Sequence, residues 1–305
     1  MGRAEPDAGE GLVTGVLNVN KPGGWTSHDV VAKLRRIVGQ RRMGHAGTLD
    51  PLATGVLLVC LGRATRVTDY LADAAKTYEA TLRLGLSTDT WDADGEIVAE
   101  WPVPAFGLDE LEAALAPFRG PIAQVPPIYS ALKRDGQPLY RLARKGIEVN
   151  LAPRPVEIYR LQVVAWQSPD LTLAICCSKG TYVRSLANDL GAALGTGAHV
   201  AALSRTAVGP FTLADAASLA ALIDPAAPQA WQRHLLPLER ALAHLPRVEV
   251  DAEAAQRLRV GAAVPLDLPP DPAPRWAYDD SGRLIAIVQP SAAPGLWRPV
   301  KVLVG

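Results

Sequence analysis

The sequence predicts an α+β protein, built on a mixed and largely antiparallel sheet and followed by a small C-terminal β-rich module. Helical and strand-like segments do not alternate strictly, which disfavours a doubly wound parallel sheet. A length of 305 residues suits about two domains of about 150 residues each. A stretch rich in Pro and Ala, residues 224–246, interrupts the periodic segments. We therefore expect a first domain over residues 1–245 and a second over 246–305.

The first domain opens with a short strand and a capped helix. Residues 15–19 form the strand, and residues 26–29 have the spacing of a capping box at a helix start. Apolar residues then follow a helical period until Gly39, which favours a helix end. Later periodicities predict four strands and one further helix: 56–61, 78–84, 161–166 and 171–177, then 182–194.

The last sixty or so residues have a different pattern. A short helix is predicted over residues 251–259, before Gly261. Two strands, 275–278 and 283–288, flank Asp-Asp-Ser-Gly, which is a hairpin signal. A final strand is predicted over residues 297–304. Together these elements indicate a small β-rich module.

Composition excludes several classes of protein. Lys and Arg number 31 and so do Asp and Glu, so the formal net charge is zero and a globally basic coat is excluded. The longest apolar run, residues 56–61, is far shorter than the roughly 20 residues of a membrane span. No signal peptide is visible, and three unspaced cysteines suit neither a disulfide framework nor a zinc site. We expect no membrane association and a reducing cytoplasm.

Local charge is nevertheless uneven. Basic residues outnumber acidic ones over residues 30–80 and again over 129–160, whereas residues 85–112 carry acids and no Lys or Arg. The two basic stretches are either ordinary solvated surface or, if they share a face, a footprint for phosphates. The acidic stretch contains Asp92-x-Asp94-Gly95, which lacks key carboxylates of a calcium loop. No metal site is predicted.

Residues 44–55 are the most informative segment. Three glycines and a proline predict a rigid, irregular loop that leads into an apolar strand. Asp50 is the only acid between Asp29 and Asp69, and arginines at 41, 42, 63 and 66 flank it. Neighbouring cations would keep its pKa low and its carboxylate ionised. Asp50 is then either a nucleophile or electrostatic stabiliser, or an ordinary turn residue before Pro51.

This segment resembles the catalytic loop of the tRNA pseudouridine synthase B family, in which Gly-Thr-Leu-Asp-Pro carries the reactive aspartate. Further segments resemble motifs of that family, in the same order, across about residues 15–211. They are Asn20-Lys21-Pro22-Gly23-Gly24-Trp25-Thr26-Ser27, Lys76-Thr77-Tyr78, Leu84-Gly85, Thr88-Asp89-Thr90-Trp91-Asp92, Pro126-Pro127-Ile128-Tyr129-Ser130-Ala131-Leu132-Lys133, Lys179-Gly180-Thr181-Tyr182-Val183-Arg184-Ser185-Leu186, Leu203-Ser204-Arg205-Thr206 and Val208-Gly209-Pro210-Phe211.

The resemblance implies the pseudouridine synthase fold, with a catalytic cleft across its sheet. It implies that uridine at position 55 in the TΨC arm of tRNA becomes pseudouridine, without a metal or organic cofactor. The base would be flipped out, detached at N1, turned and reattached through C5. Asp50 corresponds to the essential aspartate. It could attack the sugar C1′, attack the base or remove a sugar proton, and the sequence leaves these three open.

The resemblance also assigns partners to Asp50. Tyr78 matches the tyrosine that stacks on the target base and acts as a base in a later proton transfer; otherwise it is a half-buried strand residue. Arg184 matches the arginine paired with the aspartate; otherwise it faces solvent on a helix. A charge-assisted pair would hold the carboxylate in place.

Four further residues match binding positions. Tyr182 and Leu203 correspond to residues that line the pocket. His45 corresponds to a histidine that stabilises the space left by the flipped base, or it satisfies a loop carbonyl. Lys21 corresponds to a lysine of the pocket region, either in contact with a phosphate or supporting the packing.

The C-terminal module resembles, more faintly, the PUA module that holds the acceptor stem of tRNA in this family. It could instead be a β appendage that only stabilises the chain. We expect tRNA as the partner and no protein partner. An RNA-guided synthase is the nearest competing hypothesis, disfavoured because such proteins normally carry lysine-rich tails. A non-catalytic RNA-binding or tRNA-folding protein and a small-molecule hydrolase using Asp50 are two further hypotheses.

Overall fold

The computed structural model describes residues 12–130, 151–269 and 273–303, together with the backbone of residues 133–134 and 137–138. Much of the second basic stretch lies outside the side chains that the structure describes. The predicted phosphate footprint therefore stays a prediction.

The strands follow the chain in two groups. Those up to residue 218 are β1 (Gly15–Lys21), β2 (Met43–Ala46), β3 (Thr54–Leu61), β4 (Lys76–Leu84), β5 (Leu86–Thr88), β6 (Ile97–Glu100), β7 (Gly120–Gln124), β8 (Lys133–Arg134), β9 (Gln137–Pro138), β10 (Arg154–Gln167), β11 (Asp170–Cys177), β12 (Ala198–Val208), β13 (Phe211–Thr212) and β14 (Ala217–Ser218). Those after it are β15 (Leu235–Leu236), β16 (Arg247–Glu249), β17 (Val264–Pro265), β18 (Arg275–Tyr278), β19 (Leu284–Pro290) and β20 (Leu296–Val302).

The helices are fewer and mostly short. They are α1 (Ser27–Val38), α2 (Thr68–Asp73), α3 (Leu108–Leu115), α4 (Val183–Ala193), α5 (Leu219–Leu222), α6 (Leu238–Ala241) and α7 (Ala252–Arg259). Turns of 3₁₀-helix lie at Gly62–Val67, Ala116–Phe118 and Ala230–His234. Among the described helices, none combines the length and apolar character needed to cross a membrane.

The large sheet is mixed and largely antiparallel, which confirms the predicted fold class. Its described strands follow the order β14-β1-β3-β12-β4-β11-β10-β7, with β2, β13 and β15 paired at its sides. In the described part of this large sheet, only β1 with β14 and β3 with β12 pair as parallel strands. The parallel step from β3 to β12 places two distant parts of the chain side by side at the centre of the sheet.

The apolar strand β3 is buried because both of its faces are covered. Leu57, Val59 and Leu61 point into the first core cluster, against α1 and α4. The alternate residues, including Leu58, point into a second cluster that contains Trp276 of the second sheet. A strand buried on both faces has a continuous apolar run rather than an alternating one.

The residues before the second sheet pack closely onto the first domain. Leu235–Leu236 pair with β1, and Trp231 is buried in the first core cluster. The stretch that the composition marks as a boundary therefore packs against the large sheet. The described strands of the second sheet run in the order β16-β18-β19-β20-β17, all within residues 247–302. Because the second sheet begins at Arg247, we propose that the first domain ends at residue 245 and the second begins at residue 246.

The second sheet is fixed to the first domain by packing and by hydrogen bonds. Trp276, which is 1% exposed, meets the Tyr70 ring edge-to-face at 5.4 Å between centroids. Arg66 donates from Nη1 to the Val302 carbonyl at 2.6 Å. The two sheets thus share one apolar cluster, and we expect them to unfold together.

Truncating Trp276 tests this shared packing. Trp276→Ala is expected to lower the free energy of unfolding by about 3–5 kcal/mol, since it leaves a large cavity between the sheets. Urea denaturation followed by circular dichroism measures the loss. Val260→Ala is the control, because Val260 is 74% exposed and its loss costs at most about 0.5 kcal/mol. A Trp276→Ala protein as stable as this control would show that the sheets do not share a core.

Candidate active site

Asp50 lies on the loop of residues 47–53 between β2 and β3, called here the Asp50 loop. Ser27, at the start of α1, holds this loop through two hydrogen bonds with the Leu49 backbone: its Oγ accepts from N at 2.8 Å and donates to O at 3.1 Å. The Gly24 amide donates to the Pro51 carbonyl at 2.9 Å. The backbone on either side of Asp50 is therefore fixed by the preceding turn and helix.

Lys21 lies beneath this loop, fully buried at the end of β1. Its Nζ donates to the carbonyls of Pro22 at 2.9 Å, Trp25 at 2.6 Å and Pro51 at 3.2 Å. Burial lowers the pKa of Lys21 to about 8, against the opposing charge of Asp50. This placement favours the packing-support role, because a buried ammonium bound to three carbonyls has no open side for a phosphate.

Arg184 brings two carboxylates together. Its side chain is 5% exposed, and Nη2 contacts Asp50 Oδ2 at 2.9 Å while Nη1 contacts Asp92 Oδ2 at 3.5 Å. The same two nitrogens donate to the carbonyls of Tyr129 at 2.9 Å and Thr90 at 3.2 Å. This burial excludes a solvent-facing helix arginine. Asp50, Asp92 and Arg184 are called the Arg184 cluster below.

Asp92 is a candidate site residue that the sequence analysis did not select. It is buried, and its Oδ1 accepts from Thr90 Oγ1 at 2.6 Å and from the Asp94 amide at 3.2 Å. Trp91 between them has φ 63°, a left-handed conformation that is uncommon for a bulky residue. In the sequence, Asp92 stands out in two ways only. It ends the Thr-Asp-Thr-Trp-Asp segment that resembles a family motif, and it begins the Asp-x-Asp-Gly pattern that lacks key carboxylates of a calcium loop.

The prediction that Asp50 keeps a low pKa is wrong in direction. Burial raises the pKa of Asp50, the Arg184 charge opposes this, and the nearby charges of Asp92 and Asp94 raise it further. The arginines flanking the loop in sequence are not the main cation acting on it. Arg66 instead reaches the second sheet. The side chain of Asp50 is still 34% exposed, so it is open to a ligand.

Tyr78 lies at the centre of the sheet on β4. Its cross-strand partners are Ile175 on β11 and Arg205 on β12. Burial raises the pKa of its hydroxyl, and Asp50 adds to this, whereas the charge and hydrogen bonding of Arg205 lower it. Leu203 lies two cross-strand pairs away, opposite Ala80, and packs in the same core cluster. The structure therefore places Tyr78 and Leu203 on one face.

His45 and Tyr182 come from separate elements, β2 and the start of α4. His45 is on β2, its Nδ1 is buried without a hydrogen-bond partner, and burial lowers its pKa. Tyr182 caps α4, where its amide donates to Gln124 Oε1 at 2.7 Å and its carbonyl accepts from Nε2 at 3.0 Å. Burial raises the pKa of the Tyr182 hydroxyl, with a contribution from Asp50. The charge of Asp50 thus acts on the Tyr182 hydroxyl, and burial disfavours the charged form of His45.

Family comparisons agree with the motifs. Residues 35–183 match the TruB family pseudouridylate synthase N-terminal domain, and residues 184–243 match the tRNA pseudouridylate synthase B C-terminal domain. A relative from Dehalococcoides mccartyi (strain CBDB1) is 45% identical, covering 95% of this chain and 96% of that protein. A relative from Pseudomonas aeruginosa (strain UCBPP-PA14) is 47% identical, covering 90% of this chain and 91% of that protein. Both are named tRNA pseudouridine synthase B.

Solved structures share the fold. A chain in a Cbf5–Nop10–Gar1 complex is 29% identical with a TM-score of 0.74, covering 95% of this chain and 85% of that one. A chain in an H/ACA RNP bound to a substrate RNA containing 2′-deoxyuridine is 26% identical with a TM-score of 0.73 and the same coverage. The protein built around the Arg184 cluster thus belongs to the TruB family of tRNA pseudouridine synthases.

Proposed function

We propose that this enzyme converts uridine to pseudouridine at position 55 in the TΨC arm of tRNA, with Asp50 as its catalytic residue and no cofactor. The observation that carries the proposal is the Arg184 cluster: a buried guanidinium fixes a partly exposed carboxylate on a rigid loop. The reaction is an isomerisation. The bond from C1′ to N1 breaks, a bond from C1′ to C5 forms, and the proton lost from C5 is balanced by one gained at N1.

Asp50 needs an ionised carboxylate for each of its three candidate roles. Arg184 holds one carboxylate oxygen at 2.9 Å, which fixes the direction of the group. An attack on C1′, an attack on the base and removal of a sugar proton all begin from this geometry. The three routes differ in the atom that Asp50 approaches.

Tyr78 would receive the flipped base. Taking a base out of the stack costs a few kcal/mol, and stacking on an aromatic ring offsets about 1–3 kcal/mol of it. Tyr182, Leu203 and His45 would line the pocket around this base. We assign Lys21 to support of the Asp50 loop, because its three acceptors are backbone carbonyls.

The second sheet would contact the acceptor stem as a PUA-like module. Exposed basic side chains lie on α7 and β20 of this module, among them Arg257, Arg298 and Lys301. Such residues suit phosphate contacts, which position an RNA without reading its sequence. A cytoplasmic location is proposed because that is where a bacterial tRNA is found.

A stand-alone enzyme is favoured over an RNA-guided one. The curated relatives at 45–47% identity are named for tRNA, whereas the similar solved chains from H/ACA complexes are 26–29% identical. The two hypotheses differ in whether a guide RNA and accessory proteins are required.

An unmodified tRNA transcript tests the function directly. The purified chain, with no guide RNA or other protein, is incubated with the transcript and pseudouridine is mapped by position. Product at position 55 alone supports the proposal, and a transcript with cytidine at position 55 is the control. No product at any position would overturn the enzymatic assignment, and product elsewhere would overturn the site.

The pH dependence of the reaction should reveal the raised pKa of Asp50. If the ionised carboxylate is required, the rate falls as pH falls through this pKa, which lies above the ordinary aspartate value of about 3.9. Asp92→Asn removes a charge that raises the pKa of Asp50, so the acid limb should move to lower pH. Single-turnover rates across the acid range measure the shift.

The control is Asp109→Asn, an exposed carboxylate on α3, which should leave the acid limb in place. An acid limb that does not move in Asp92→Asn would show that Asp50 does not titrate in this limb.

A further inference from the structure

Arg205 is a buried arginine within the Leu203-Ser204-Arg205-Thr206 motif. It lies on β12 beside Gly55 of β3, and its side chain is among the largest that are fully buried. Nε donates to the Val56 carbonyl at 2.7 Å, Nη2 to the Gly47 carbonyl at 3.0 Å and Nη1 to the Thr48 carbonyl at 3.3 Å. Its guanidinium therefore joins the Asp50 loop to the start of β3.

The backbone around Gly55 is built for this contact. Gly55 has φ +98°, and a Cβ there would lie 2.2 Å from the Arg205 carbonyl oxygen. Only glycine permits the two strands to approach so closely. The parallel pairing thus delivers the Arg205 side chain to carbonyls that lie two and three residues before Asp50.

The charge of Arg205 has no carboxylate partner among the described side chains. The backbone groups that accept its hydrogen bonds are three neutral carbonyls. A buried cation without a counter-ion favours negative charge on any neighbour that can carry it. Arg205 lowers the pKa values of Lys21, His45, Lys76 and Tyr78, and Tyr78 alone of these becomes negative when it loses its proton.

The groups around the Tyr78 hydroxyl come from three elements. Arg205 of β12 is the cross-strand partner of Tyr78. The groups whose charge acts on the hydroxyl are Arg205, Cys177 of β11 and Asp50 of the Asp50 loop. Arg205 is the only cation of the three. A tyrosine accepts a proton only as its phenolate, so a base that takes the C5 proton onto Oη must first be negative. The proton that Tyr78 gives up goes to N1 of the detached base, which gains one proton in the overall reaction. The electron pair of the C5–H bond then returns to the ring, and Tyr78 becomes neutral.

We propose that Arg205 is a positioning residue that ties the Asp50 loop to Tyr78, and that its buried charge stabilises the negative form of Tyr78 during proton transfer. The proposal rests on the proposed function for Tyr78's role. It differs from a purely structural role because it makes Arg205 act through the tyrosine hydroxyl.

Variants at Arg205 and Tyr78 test this coupling. Arg205→Gln should slow single-turnover pseudouridine formation about 100-fold, the lower range for a general base, with the affinity for the transcript nearly unchanged. Arg205→Lys keeps a charge and should recover part of the rate. In a Tyr78→Phe background the Arg205→Gln effect should be much smaller, because the hydroxyl is gone and only the loss of the hydrogen bonds to the Asp50 loop remains. An equal loss in both backgrounds would overturn the proposal.

A spectroscopic titration tests the same coupling without measuring turnover. It uses two Arg205 variants, so the test does not depend on the folding of either one alone. Protein labelled with 3-fluorotyrosine contains seven tyrosines, and Tyr78→Phe assigns the Tyr78 fluorine signal. The titration midpoint of Tyr78 should rise in Arg205→Lys and further in Arg205→Gln. Midpoints unchanged in the folded variants would overturn the proposal. A wild-type protein that makes no pseudouridine but shows these shifts would overturn the proposed function and leave the electrostatic coupling standing.

Discussion

Pure, folded Asp50→Asn protein is expected to form no detectable pseudouridine in a tRNA transcript that the wild type modifies. Asparagine keeps the size of the side chain and can still accept a hydrogen bond from Arg184, which is 2.9 Å from Asp50 Oδ2. It removes the negative charge, and with it every candidate role of Asp50 as nucleophile or base. Single-turnover assays at enzyme excess measure the loss, since they are blind to product release.

RNA binding by Asp50→Asn should be largely kept. Lys and Arg contacts with phosphates supply most of the affinity for an RNA, and Asp50 takes no part in them. Filter binding with the same transcript measures this. Asp109→Asn is the matched control, because it makes the same chemical change on an exposed helix residue. It should bind and turn over as the wild type does.

The competing roles of Asp50 forecast different results. A turn-only aspartate predicts ordinary activity with a modest loss of stability. A non-catalytic RNA-binding protein predicts no activity in either version. Near-normal product from Asp50→Asn would contradict the assignment, after mass spectrometry has shown that the asparagine has not deamidated to aspartate.

Elements set by neighbouring residues follow from the sequence. The capping box forms as predicted: the Asp29 amide donates to Thr26 Oγ1, and the Thr26 amide donates to Asp29 Oδ2, both at 3.0 Å. Gly39 ends α1 with φ 72°, as expected of a helix cap. These interactions span three or four residues, so the order of residues alone specifies them.

Contacts between distant segments cannot be predicted in the same way. The Arg184 cluster joins Thr90 to a guanidinium 94 residues later, and Arg205 reaches Gly47 across 158 residues. For this reason, counting the arginines near Asp50 in the sequence predicts the wrong direction for its pKa shift. Sequence neighbours supplied the predicted cations, whereas the fold supplies one arginine from α4 and two acids from the turn after β5. Burial, which no local pattern measures, then decides the direction of the pKa shift.

If Asp50 is the catalytic residue proposed above, the Arg184 cluster would both orient it and limit its stabilisation as an anion. Two carboxylates share one guanidinium, so Asp50 receives only part of its positive charge. Full pairing would hold the carboxylate ionised but make it a weaker base. Sharing with Asp92 leaves Asp50 oriented while its proton affinity stays above that of an exposed aspartate.

Removing the guanidinium should therefore damage both stability and turnover. Arg184→Met keeps much of the side-chain volume but leaves Asp50 and Asp92 without a counter-charge. Losing one partner of a buried pair costs about 3–5 kcal/mol, and the 34% exposure of Asp50 favours the lower end. The pKa of Asp50 should rise further, because the Arg184 charge that lowers it is gone. The acid limb of the rate should move to higher pH, opposite to its shift in Asp92→Asn.

Arg83→Met is the matched control for Arg184→Met. Arg83 forms a bidentate pair with Asp170 on the same sheet, with both hydrogen bonds at 2.8 Å, but its side chain is 44% exposed. Such surface pairs contribute about 0–1 kcal/mol, so its stability and acid limb should match the wild type. Arg184→Lys should recover part of the rate, since an ammonium restores charge without the planar fork that contacts both acids. An Arg184→Met protein that keeps the wild-type acid limb and loses only stability would show that Arg184 supports the fold without controlling the ionisation of Asp50.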